Sequence, residues 1–138
     1  MDGISSWFEY LSTRGDLVIE TLAQTLTYVV LVTISASIVA IVLGVATRHN
    51  PFAKELTLSI ASVFLTIPSL ALFTIFIPIV GLGFAPSFIA LFLYALLPIM
   101  RNTVAGLDSV DSSILESAKG MGLTSGQILR KVQLPLAW

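Results

Sequence analysis

The 138-residue chain contains no cysteine, which excludes disulfides and thiolate metal sites. It has one histidine, His49, too few for a histidine-based metal cluster. Beside Arg48, that histidine reads as a solvated loop residue rather than a ligand. Charge is scarce. Asp, Glu, Lys and Arg make up 11% of the residues, against about a quarter in soluble domains. None of them falls between Thr21 and Thr47, and none between Leu56 and Met100. Such stretches hold no acid–base pair and no activated nucleophile, so an enzyme is not expected. No glycine-rich phosphate loop is present either: Gly120-Met121-Gly122 lacks the preceding strand and the Lys-Ser/Thr of a P-loop. ATP must then bind elsewhere, and no cofactor is expected. The net charge of -1 gives no reason to expect a nucleic-acid partner.

Apolar residues are abundant. They form 56% of the chain, and mean hydropathy is +0.96. The chain reads as an integral membrane protein whose first partner is the lipid bilayer. Met1-Asp2-Gly3 is acidic and lacks the basic start of a signal peptide, so the apolar segments are expected to be mature structure.

A spanning helix needs about 20 apolar residues to cross a core of roughly 30 Å. The first span is expected at about 26–47, stopped by Arg48-His49-Asn50-Pro51. Asp16 offers an N-cap for a helix beginning near Leu17. A helix from there to Thr47 exceeds the bilayer core, so it must tilt or project. The uncharged stretch from Leu56 to Met100 is long enough for two spans, expected at about 57–80 and 86–104. They turn at Gly81-Leu82-Gly83-Phe84-Ala85-Pro86. Pro68 and Pro78 fall in the second span and Pro98 in the third. Each is read either as a kink lining a pathway or as an ordinary membrane-helix proline, the commoner case.

Lys and Arg set the orientation. Arg48 and Lys54 lie between the first two spans, and Arg101, Lys119, Arg130 and Lys131 follow the third. Only Arg14 precedes the first, among Asp2, Glu9, Asp16 and Glu20. The N-terminus is therefore expected outside and everything after Arg101 in the cytoplasm. Trp7, Phe8 and Tyr10 read as an interfacial anchor at the outer surface.

The polar tail, about 108–135, reads as a helical hairpin. Asp108-Ser109-Val110-Asp111 offers caps for a helix over Ser112 to Met121. Gly122 suits the left-handed residue that ends it. Thr124 and Gln127 form a T-x-x-Q capping box for a second helix, expected to reach about Gln133 and to stop before Pro135. Capping alone leaves two readings open: a structured loop between spans, or a helix pair shaped for a partner's groove.

The spacing favours the second. Glu116-Ser117-Ala118, three residues, Gly122, nine residues, Val132, one residue and Leu134-Pro135 resembles the EAA loop of ABC importer permeases. Ser117 replaces an alanine and Val132 an isoleucine. More narrowly, four features look like the permeases of quaternary-amine osmoprotectants such as glycine betaine, carnitine, choline and proline betaine. They are Ile67-Pro68-Ser69, Gly81-Leu82-Gly83, Leu97-Pro98-Ile99 with Arg101, and Lys131-Val132-Gln133-Leu134-Pro135. The resemblance covers roughly residues 15–138.

It implies an all-α transmembrane bundle in a prokaryotic plasma membrane. It also implies a second permease subunit, identical or homologous, a cytoplasmic ATPase dimer and an extracytoplasmic substrate-binding protein. Glu116, Ser117, Ala118 and Gly122 would form the ATPase-docking turn. Val132, Leu134 and Pro135 would fix the hairpin against the bundle. Glu116 could bond backbone donors or a basic group in the loop. Pro68, Ser69, Tyr94 and Pro98 are the candidate pathway residues. Phe64, Phe73, Phe76, Phe92 and Tyr94 could hold a quaternary ammonium by cation–π attraction, although packing on lipid or on neighbouring helices is the commoner role. The family core has two further spans after the Leu-Pro, so the chain is expected to be a shortened permease or a fragment of one, unable to transport as it stands. Two other functions stay open: a non-transporting membrane anchor or assembly protein that presents the hairpin to a soluble partner, and an importer permease for another amino acid.

Overall fold

The computed structural model describes residues 13–137. The aromatic anchor expected at Trp7, Phe8 and Tyr10 lies outside them. Among the described residues there is no strand; the all-α bundle expected from the apolar stretches is the fold found.

Helix α1 runs Gly15–Thr47, 33 residues. At 1.5 Å per residue it is about 50 Å long, well beyond a hydrocarbon core of roughly 30 Å. Arg14, not Asp16, holds its N-cap position. Asp16 sits in the first turn, where a carboxylate complements the helix dipole without capping. Val32, Ala36, Ala40 and Gly44 form its buried stripe, one residue per turn. Small residues there let a partner backbone come close. That partner is α4, Phe84–Asp108, which buries Pro86, Ala90, Leu97, Met100, Val104 and Leu107. At the tightest point, a Cβ added to Gly44 would lie 3.0 Å from Cγ2 of Thr103.

The second apolar stretch is not one continuous helix. It is two helices, α2 (Pro51–Thr66) and α3 (Ser69–Val80), bent by 96° at Ile67-Pro68. Pro68 has no N–H to continue the ladder and disfavours helical geometry in the residue before it. Ile67 accordingly takes φ -78°, ψ 129°, an extended conformation. The bend makes the pair a broken span or a re-entrant loop. By length and composition α1 and α4 can cross a membrane, and the α2–α3 pair makes a third crossing if it is one span. Both α2 and α3 pack on α4, which is the central element. Gly81 and Gly83, at φ 83° and 123°, make the reversal into α4.

Hydroxyls inside the apolar helices satisfy themselves. Thr25, Thr27, Ser35, Thr47, Thr74 and Thr103 each donate to the carbonyl one turn earlier at 2.7–2.8 Å. No polar or charged residue is fully buried among the described residues. The exposed surface of α1 is rich in Leu, Ile and Val, as a lipid-facing helix requires.

Candidate functional site: a capped hairpin and a broken helix

The hairpin begins at α5, Ser112–Gly120. Asp111 is its N-cap: Oδ1 accepts from the Ser113 backbone N–H at 2.8 Å. Hydrogen bonds from Ser113 hold the Asp111 carboxyl below its ordinary range. The helix ends in a two-bond lock. The Leu123 N–H donates to the Ala118 carbonyl at 3.2 Å, and the Gly122 N–H to that of Lys119 at 2.9 Å. Gly122 stands at φ 80°, where a Cβ is strained. This pair of bonds around a left-handed glycine is the Schellman arrangement.

The return leg starts at α6, Ser125–Ile128. Both bonds of the expected capping box are present. The Gln127 N–H donates to Thr124 Oγ1 at 3.4 Å, and the Thr124 N–H to Gln127 Oε1 at 2.9 Å. The helix does not stop before Pro135, as the sequence suggested. It widens into a π turn over Leu129–Gln133 and continues as a last turn, α7, over Leu134–Leu136. In the π turn the Leu134 N–H reaches the Leu129 carbonyl, five residues back. The widened ring accommodates a proline ring that an α-helix would push into a carbonyl.

The motif residues separate into those that set the hairpin's shape and those that face outward. Ala118 is 1% exposed, packed inside the hairpin opposite the return leg that buries Ile128. Together with Gly122 it serves the hairpin's own shape. Glu116, two residues from Ala118 and hence on the opposite face, is exposed. It makes neither of the loop bonds suggested for it, because that face points away from the turn. Ser117 is exposed and donates to the Ser113 carbonyl at 2.8 Å. Met121, at the tip, is 74% exposed. Val132 is half-buried and Pro135 exposed. Leu134 reaches the bundle: with Ala137 it lines a cavity of about 360 Å³ whose other walls are Ser37 and Ile41 of α1 and Ile99, Asn102, Thr103 and Leu107 of α4. The carbonyl of Ala137 closes on Gly106, where an added Cβ would sit 2.7 Å away.

The four pathway candidates are partly brought together. The Tyr94 hydroxyl donates to the Ile67 carbonyl, next to Pro68 and Ser69 at the bend. Pro68 and Ser69 are exposed and Tyr94 is half-buried. Pro98 lies one turn after Tyr94 on an exposed part of α4. The five aromatic residues named from sequence form no ring cluster of their own. Among the described residues, ring contacts run Tyr28–Phe84–Phe88–Phe92 with centroids 4.4, 5.4 and 6.1 Å apart. Phe92 alone belongs to the set singled out from sequence. A link that sequence reading missed is the ion pair of Lys54 with Asp108 at 2.9 Å. The signal available was a lone Lys at the start of α2 and a lone Asp at the end of α4, with nothing local to join them.

An apolar helical bundle tied to a capped polar hairpin defines a helical membrane protein. Residues 33–138 match the family of binding-protein-dependent transport system inner membrane components, and the chain belongs to that family. It is a multi-pass protein of the inner membrane. It is similar to the carnitine transport permease protein OpuCD of Listeria monocytogenes, with 38% identity over 137 residues, 99% of this chain and 61% of that protein. It is 36% identical over 129 residues to the choline transport system permease protein OpuBB of Bacillus subtilis strain 168, covering 94% of this chain and 59% of that one. To the osmoprotectant import permease protein OsmY of Salmonella typhimurium strain LT2 it is 48% identical over 92 residues, 64% of this chain and 39% of that one. The chain thus spans 61% and 59% of the lengths of the first two relatives.

Proposed function

We propose that the chain is part of the membrane permease of an ATP-driven, binding-protein-dependent importer for quaternary-ammonium osmoprotectants. The hairpin over residues 108–135 faces the cytoplasm and the N-terminus faces outside. ATP is hydrolysed on a separate cytoplasmic ATPase dimer that grips the exposed Glu116–Ser117 face and the turn at Gly122. A second permease subunit, identical or homologous, completes the pathway, and an extracytoplasmic binding protein delivers the substrate. Closure of the ATPase dimer moves the hairpin. Leu134 and the contact of Ala137 with Gly106 carry that motion into α1 and α4. Pro68 and Ser69 at the bend, with Tyr94 and Pro98 on the facing stretch of α4, are the pathway candidates.

The observation that carries this reading is the hairpin. A motif in register from Glu116 to Pro135 coincides with a locked, doubly capped helix pair whose return leg ends against α4 at Gly106 and shares a cavity with α1 and α4. The substrate class rests on relatives named for carnitine, choline and osmoprotectant transport. Carnitine and choline suit a path without charged side chains, since a quaternary ammonium has no proton to donate and is held by aromatic faces.

The test is uptake of labelled glycine betaine by the assembled complex, with choline, carnitine, proline and unrelated amino acids as competitors. Competition by the quaternary amines alone is expected. Absence of any such competition removes the substrate class and leaves the importer reading. Gly122→Arg is expected to uncouple ATP hydrolysis from uptake while membrane insertion persists. Normal substrate-stimulated uptake by that variant sinks the coupling role.

A further inference from the structure

The bend at Ile67-Pro68 poses a satisfaction problem. Breaking a helix inside an apolar layer frees backbone carbonyls that have no water to bond. At this break one of them is the carbonyl of Ile67, turned out of the ladder by the extended backbone. The Tyr94 hydroxyl, 27 residues later on α4, donates to it. Among the described residues two hydrogen bonds join α2 and its C-cap to α4, one near each end: Lys54 Nζ donates to Asp108 Oδ2, and the Tyr94 hydroxyl donates to the Ile67 carbonyl. Helix α3 has none and meets α4 through apolar contacts. The end of α2 is therefore tethered, while α3 beyond the proline is free of polar ties.

We propose that Tyr94 is a positioning residue whose hydroxyl clamps the Ile67 carbonyl, making Ile67-Pro68 a fixed elbow about which α3 is set relative to α4. This rests on the transport reading, within which the elbow fixes where one half of the broken helix stands in the pathway. It assigns Tyr94 to the protein's own backbone and not to the substrate. The clamp needs both partners: a hydroxyl at residue 94 and a proline at residue 68 that keeps residue 67 extended.

The chain has no cysteine, so spin labels can be placed on Ser59→Cys and Ile79→Cys without a background to remove. Both positions are exposed, one on α2 and one on α3. The full chain in lipid nanodiscs is expected to give one narrow distance distribution. Tyr94→Phe, which keeps the ring, is expected to at least double its width. Pro68→Ala is expected to lengthen the distance by allowing a continuous helix, and Tyr94→Phe added to it is expected to change nothing more. In the assembled importer, Tyr94→Phe is expected to lower maximal uptake by roughly tenfold, the scale of one hydrogen bond, with KM unchanged. A distance distribution indifferent to Tyr94→Phe overturns the clamp. A raised KM with an unaltered distribution also overturns it, by making Tyr94 a substrate contact. Absence of uptake by the unaltered complex counts against the transport reading alone, and the distance measurement still decides the clamp.

Discussion

Lys54 Nζ lies 2.9 Å from Asp108 Oδ2, joining the first turn of α2 to the last residue of α4. The pair stands at the root of the hairpin, three residues before its N-cap Asp111. Both side chains are partly open to solvent, at 28% and 55%, so its strength is that of a surface pair. A double-mutant cycle with Lys54→Met and Asp108→Asn is expected to give a coupling of roughly 0.2–1 kcal/mol. The coupling should fall away near 1 M salt, where screening reaches about 3 Å. Thermal unfolding of the four proteins in one detergent at two salt concentrations measures it. A coupling unaffected by salt contradicts a solvent-exposed pair.

Two glycines of the hairpin should respond oppositely to the same substitution. Neither Gly120 nor Gly122 has a neighbour within 4 Å of an added Cβ, so space is not the issue. Gly122 stands at φ 80°, and Gly122→Ala is expected to destabilise the hairpin by about 1–2 kcal/mol. Gly120 ends α5 within the helix, and Gly120→Ala is expected to stabilise by about 0.5–1 kcal/mol. Amide exchange rates of Ala118 to Leu123 read both effects. Equal responses at the two sites contradict the left-handed lock.

Gly106 is limited by space. Its added Cβ would meet the Ala137 carbonyl at 2.7 Å, and backbone cannot rotate away as a side chain can. Gly106→Ala is expected to cost about 1–3 kcal/mol, the range of overpacking, and to lift the last turn off α4. Removing residues 137–138 from the same variant is expected to abolish most of that cost. A cost that survives the shortening places the clash elsewhere.

The pH response of the hairpin follows from Asp111. Its carboxyl is held below the ordinary range by bonds from Ser113. The charged cap therefore contributes stability in full above the unfolded value near 3.9. That contribution is lost as pH falls through the lower folded value. The Ser113 amide shift is expected to stay constant from neutral pH down to about 4 and to move below it. Asp111→Asn, which still caps, is expected to remove the titration and keep the helix. A Ser113 shift that moves near pH 6 contradicts the cap as the source.

Local signals in the chain were legible because their chemistry is local. Thr124 with Gln127, Asp111 before Ser112, and Gly122 after α5 act within a few residues of themselves, and each is found in its expected role. Pro68 marked where the second apolar stretch changes, but not that it bends by 96°. The hydroxyl that meets the Ile67 carbonyl at the bend comes from Tyr94, 27 residues away. The Lys54–Asp108 pair, 54 residues apart, was invisible for the same reason. Pro135 misled in the other direction: a proline stops an α-helix, and the π turn before it removes the clash that would do so. Asp16 has a capping side chain, whereas the first turn of α1 is set by where the backbone enters the helix at Arg14. Phe84, Phe88 and Phe92 stand four residues apart on α4, a spacing legible in the sequence, whereas Tyr28 joins the row from another helix, which no local spacing shows.

The division of the motif into outward Glu116 and Ser117 and shape-setting Ala118 and Gly122 has a consequence for genetics. Damage to an outward side chain can be repaired from either side of a contact, so second-site suppressors of Glu116→Ala should arise in the gene of whatever protein docks on the hairpin. Damage to Ala118 or Gly122 distorts the hairpin itself. Its suppressors should map within this chain, at the return leg around Ile128 or at the Gly106 seat. Where the revertants fall would read the orientation of each motif residue without any structure of the complex.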